Sequence, residues 1–171
     1  MNFVHRRVDM HQKKQISEMI IFNQYKQSLI GIKSKNELYV FSSNVEDSVK
    51  WKKFVVQPYA NHQRVSEILI YDINAIVNHP EFEKSSTFIH WKNTLIYLGE
   101  EMNLDTLDVD YYLLRNSKLR YRDVEKIQTK RIIADGSNYP RYVDRMDSIL
   151  NLNHRDTVWN TAQDGYFRLD F

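Results

Sequence analysis

Residues 113–133 read LLRNSKLRYRDVEKIQTKRII, and within 115–131 seven cations (Arg115, Lys118, Arg120, Arg122, Lys126, Lys130 and Arg131) face only Asp123 and Glu125. Lysine and arginine at this density are the chemistry of phosphate contact. Lys118, Arg122, Lys126 and Lys130 recur every four residues, so on a helix they form one slowly drifting stripe. Like charges so spaced repel by about 0.2–0.5 kcal/mol per pair, which gives the stripe no local structural cause and makes an anionic partner its natural explanation. A second cluster, VKWKKFVV, sets Trp51 among Lys50, Lys52 and Lys53. An exposed tryptophan there would stack on a base. A buried one would anchor a segment whose lysines lie outside, and the core reading is favoured for so large an apolar ring.

Acidic and metal-ligating candidates are sparse. His79, Glu81 and Glu83 in HPEFE fall within five residues, but Pro80 extends the segment and no second ligand cluster accompanies it, so no metal site and no cofactor are expected. Asp72 in LIYDIN is a conceivable acid for water or metal activation. The triplet His154-Arg155-Asp156 shares its letters with the catalytic loop of protein kinases, yet Asn160 stands one residue too near, Asp164-Gly165-Tyr166 is not DFG, and no glycine-rich loop precedes it. Four glycines in 171 residues argue against phosphate cradles made of backbone amides, and no cysteine is present to act as thiolate ligand or nucleophile.

Stepping outward to the elements that must carry these residues, helical periodicity predicts helices over 10–27, 64–78, 86–102, 105–115 and about 119–134, with a further one from about Pro140 that turns Val143, Met146 and Leu150 inward. The 105–115 and 119–134 pair, joined by Asn116 and Ser117, has the outline of a helix-turn-helix. SLIGIKSKNELYVFSS predicts an antiparallel hairpin, VKWKKFVVQ a third strand, and Asp164-Gly165 a primed turn leading into a last strand tied to a sheet. Gly99 is placed to permit close packing.

The expected fold is therefore a single helix-rich α+β domain over 1–171, with a small antiparallel sheet built from N- and C-terminal strands. A content of 42% hydrophobic and 27% charged residues excludes a disordered chain, and no apolar run is long enough to span a bilayer, so the expectation is a cytoplasmic protein with no membrane partner. Net charge is +2, but residues 1–64 carry +6 and residues 65–171 carry −4. The leading functional expectation is a nucleic-acid-binding or regulatory protein without catalytic activity, contacting phosphates through Arg115, Lys118, Arg122, Lys126, Lys130 and Arg131, with Lys50, Lys52 and Lys53 as an auxiliary surface. Two other classes stay open: a protein-binding inhibitor or immunity-type module, and a metal-dependent nucleic-acid hydrolase using Asp72, Glu81 or Glu83.

Overall fold

The computed structural model describes residues 16–99, 107–152 and 158–170. Strands dominate it, at 42% against 26% helix, so the expectation of a helix-rich domain with a small sheet is overturned. One sheet has five strands in the order β12-β1-β2-β3-β4, and the other has seven in the order β11-β10-β9-β8-β7-β6-β5. The first comprises β1 (Glu18–Ile21), β2 (Leu29–Ser34), β3 (Glu37–Ser42), β4 (Glu67–Asp72) and β12 (Phe167–Asp170). In the second are β5 (Val77–His79), β6 (Phe82–Lys84), β7 (Phe88–Trp91), β8 (Thr94–Tyr97), β9 (Leu107–Leu114), β10 (Ile127–Ala134) and β11 (Trp159–Asn160). Both sheets are mixed: β3 and β4 run parallel, as do β8, β9, β10 and β11, while the remaining pairs are antiparallel.

The sheets pack face to face. Met19, Ile21, Ile30, Ile32 and Phe41 from one meet Ile89, Trp91, Ile96 and Ile133 from the other in a common core. The alternate positions of the same strands are also buried: Ile20, Leu38 and Val40 under helices on one flank, Tyr112, Ile132 and Ala134 under a helix on the other. This double burial explains the misreading of β8, β9 and β10. A strand covered on both faces is a continuous apolar run without alternation, and such runs match a helical template by chance. The β-branched and aromatic content of ILIY, FIHW, TLIY and LDVDYYLL was the better guide.

Each expected helix between 64 and 134 is accordingly strand. Residues 64–78 form β4 and β5; 86–99 form β7 and β8, joined by a turn at Lys92-Asn93; 107–114 is β9; and 119–134 is a 3₁₀ segment (Tyr121–Lys126) followed by β10. Within 10–27, the described residues give β1, and residues 10–15, like Asp105 and residues 154–156, lie outside the described ones. The opposite error occurs at VKWKKFVVQ, which is helical: α1 (Ser48–Trp51), a π-helical turn (Lys52–Val56) and α2 (Gln57–His62) are continuous. Trp51, Val56 and Ala60 point into the core, and the five-residue step from Trp51 to Val56 is one that a π turn accommodates and an α-helix does not.

Other expectations match. β2 and β3 form the antiparallel hairpin, and β12 joins the sheet beside β1. α3 (Pro140–Leu152) buries Val143, Met146 and Leu150 against the seven-stranded sheet. At Gly99 a Cβ would fall 2.3 Å from Tyr97 Cε1, so the close approach needs glycine. Gly165 has φ +83°, but it links α4 (Thr161–Asp164) to β12 rather than closing a hairpin, because β11 and β12 belong to different sheets.

Candidate functional site

Parallel strands end together, and in sheets of this kind ligands bind beyond their carboxyl ends. Here β3 with β4, and β9 with β10, deliver four loops: Ser43–Asn44, Ile73–Ala75, Arg115–Ser117 and Asp135–Asn138. Hydrogen bonds join three of them across the two sheets. Arg115, 3% exposed, donates from Nε to Ser28 Oγ at 2.9 Å and from a terminal nitrogen to the Leu98 carbonyl at 3.1 Å. Ser28 N donates to Ser43 Oγ at 3.0 Å, and the Ser28 hydroxyl lies 3.4 Å from that of Ser137. Ser137 donates through its N and its hydroxyl to Asp135 Oδ1 and accepts from Asn116 N; Asn138 accepts from Ser117 N and donates to the Leu114 carbonyl. Asn116 and Ser117, with φ of 54° and 53°, make the tight left-handed turn that brings these amides round.

Burial pushes the Asp135 carboxyl above its ordinary range, opposed by the hydroxyls of Ser137 and Ser28 and by the charge of Arg115. Its second oxygen has no hydrogen-bond partner among the described residues. The fourth loop is held by Lys84, whose Nζ donates to the carbonyls of Ile73, Ala75 and Ser85. Burial, then the charge of Arg115, brings the Lys84 ammonium down to about 8, with Asp72 opposing. No group of three His, Cys, Asp or Glu side chains suited to a metal occurs among the described residues. This network ties the loops together.

What it fixes is an exposed rim. Lys26 N donates to the Gly136 carbonyl, and a Cβ on Gly136 would lie 2.2 Å from the Gln24 carbonyl oxygen, so the 24–27 turn sits directly on the Asp135–Asn138 loop. Tyr139 N donates to Ser117 Oγ. Tyr25 and Tyr139 are 75% and 70% exposed, far more than buried function requires, and Lys26 and Arg141 are exposed beside them in sequence.

The cations picked out in the sequence do not converge. Arg115 is buried in the network just described. Asp123 pairs with Arg120 at 2.6 Å and Lys126 at 3.0 Å, Asp110 pairs with Lys130 at 2.6 Å, and Arg131 covers the Trp159 ring. On β10, Lys130 and Arg131 are consecutive and therefore point to opposite faces. Lys118 and Arg122 are exposed on the connection to β10, while Lys50, Lys52 and Lys53 belong to the helices on the other sheet. Trp51 is 2% exposed and its indole N–H donates to the Asn44 carbonyl, which settles that ring as core. The acidic trio also separates: Asp72 lies at the end of β4, Glu81 accepts from Ser17 and Glu83 faces outward on β6. Sequence reasoning missed Ser28, Asp135, Ser137, Tyr25 and Tyr139. The available signal was DGSNYP, since a polar, glycine-bearing loop between IIA and a proline-led helix suits a strand-to-helix crossover.

A family model described as the ComEC C-terminal domain matches residues 19–171. The chain belongs to that family. No curated protein and no solved structure matches it. ComEC is a competence protein associated with DNA uptake, and this assignment, with strands where a basic helix was expected, overturns the reading of a regulator acting through such a helix. The inhibitor and hydrolase alternatives find no support in it either. A nucleic-acid partner accords with the ComEC family, whereas the expectation of no membrane contact is not supported by it. Among the described residues no helix is long and apolar enough to cross a membrane.

Proposed function

We propose that this ComEC C-terminal domain contacts DNA during uptake, through the rim built on the carboxyl ends of its parallel strands. The family assignment supports DNA as the partner. The observation that carries the location is the pair of exposed tyrosines, Tyr25 and Tyr139, each hydrogen-bonded through its own or the adjacent backbone amide into one cross-sheet network. Rings carried on backbone held this way can stack on bases, with Lys26, whose ammonium lies 5.2 Å from the centre of the Tyr25 ring, and Arg141 as the cations beside them. Unpaired bases offer their faces for stacking and paired ones do not, so the rim favours single strands over duplex.

The test is fluorescence anisotropy with a labelled single-stranded oligonucleotide and its duplex at several salt concentrations. Replacing Tyr25 and Tyr139 by Ala is expected to cost about 1–3 kcal/mol per lost stack, and Lys26→Gln with Arg141→Gln to flatten the log-log salt dependence by about 1.4. Equal binding by the parent and the double-tyrosine variant removes the rim from the interface.

A further inference from the structure

The helical segment from Ser48 to His62 covers the outer flank of the five-stranded sheet, and its solvent side carries large apolar groups. Val49 is 81% exposed and Phe54 67%. Scattered apolar side chains on a surface need no explanation, but these two alternate with cations. Val49 with Lys53, and Lys50 with Phe54, stand four residues apart on neighbouring ridges, so one patch holds two apolar and two basic groups; Lys53 Nζ lies 5.4 Å from the centre of the Phe54 ring. From Ser48 to His62 the helix carries three lysines and no carboxylate, with Glu46 and Asp47 just before it. No ion pair involving Lys50, Lys52 or Lys53 occurs among the described residues.

The arrangement has a structural cause. Trp51, Val56 and Ala60 occupy the inward face, and the π turn that reconciles the Trp51-to-Val56 step also rotates Phe54 outward. Folding therefore leaves a phenyl ring and a valine in water although the buried side of the same helix is fully packed.

We infer that this face docks on an anionic lipid surface, Phe54 and Val49 entering the headgroup boundary while Lys50 and Lys53 reach the lipid phosphates. Lysine suits this position because its alkyl stem lies along the apolar groups and its ammonium extends to the polar layer. Charge complementarity decides the class of surface: Lys50, Lys52 and Lys53, with no carboxylate between Ser48 and His62, draw the helix to anionic lipid in preference to a zwitterionic one. A nucleic acid would also attract the lysines, but Val49 has no ring to stack on a base, so the apolar pair separates the two. The inference does not rest on the DNA contact proposed for the rim.

Co-sedimentation of the whole chain with vesicles of phosphatidylcholine alone, and of phosphatidylcholine containing phosphatidylglycerol, tests it. The parent is expected to bind the anionic vesicles in preference. Phe54→Ser with Val49→Ser, which keeps every charge, is expected to weaken binding about tenfold, and Lys50→Gln or Lys53→Gln about fivefold each. All four side chains are exposed, so near-native circular dichroism should accompany these losses. Tyr25→Ala is the control and should bind vesicles as the parent does. Undiminished binding by the serine double variant, or its loss of affinity for an oligonucleotide in place of vesicles, overturns the inference; so does equal binding of the parent to both vesicle types.

Discussion

The two ends of the sandwich bury charge in different ways. At the carboxyl ends of β3, β4, β9 and β10, Arg115 and Lys84 are neutralised by directed bonds to serine and main-chain oxygens and by Asp135, and those bonds bridge loops from both sheets. At the opposite end, Glu18 is 2% exposed and accepts from Tyr59 at 2.5 Å, with Arg168 at 3.7 Å, while Lys33 donates to the Ile16 carbonyl at 2.6 Å. There the two sheets meet through Ser17 and Glu81. One end thus holds a rigid multi-loop support beneath exposed tyrosines. The other holds a titratable carboxylate bonded to a helix tyrosine and to an arginine of the neighbouring strand. Backbone held firmly under exposed aromatic groups is what a binding surface needs, since less of it has to be ordered on contact.

Breaking the support tests the comparison most severely. Arg115→Met keeps much of the side-chain volume but leaves Asp135 buried without its cation and Ser28 without its donor, and the expected loss in urea unfolding is about 3–5 kcal/mol. A loss under about 1 kcal/mol would mean that the carboxyl end is no more tightly built than the other. Lys84 sharpens the same point through pH. Its folded value of about 8 lies below the ordinary 10.5, so the folded state gives up a proton before the unfolded one does. Stability from this group is therefore full above 10.5 and is lost as pH falls through about 8; between those values Lys84 makes unfolding free energy rise with pH by about 3 kcal/mol, against the buried or half-buried Tyr39, Tyr59, Tyr112 and Tyr142, whose raised values make it fall as pH passes 10. Lys84→Met should remove the rise and leave the tyrosine fall, and an unchanged profile would place the rise elsewhere.

How far the sequence exposes this architecture differs element by element. The β2–β3 hairpin is legible although buried on both faces, because two β-branched and aromatic runs flank a polar turn at Lys35-Asn36, and α3 is legible because it has one buried and one wet face behind the proline at 140. β8, β9 and β10 are not, because burial on both faces along much of their length erases the alternation that identifies a strand, and β4 is not, because its half-buried ILIY run fits a helical face equally well. Trp51 is legible as core, but its helix is not, since a π turn shifts the apolar spacing off the α period. The site suffers from a different limit. Arg115 stands out as a cation in a basic run, yet its role comes from Ser28, distant by 87 positions, and no local pattern reports a pairing across two sheets. The rim tyrosines carry no signal at all until their exposure is known.

The smallest expected effect lies at the other end. Burial raises the Glu18 carboxyl above its ordinary 4.5, with the Tyr59 hydrogen bond and then the Arg168 charge acting against that rise. The folded state therefore keeps this proton to higher pH than the unfolded chain, so the stability Glu18 contributes is full below 4.5 and is lost as pH climbs through the raised value. Glu18→Gln preserves an oxygen to accept from Tyr59 and removes the ionisation. It should leave stability in weak acid nearly unchanged and raise it near neutrality by up to about 1 kcal/mol, provided the 3.7 Å contact with Arg168 contributes as little as a half-exposed pair usually does. Melting temperature followed from weak acid to neutral pH in both proteins reads this directly. A variant less stable at neutrality would show that the Arg168 pairing outweighs the burial of Glu18, and that this end too is held by directed charge.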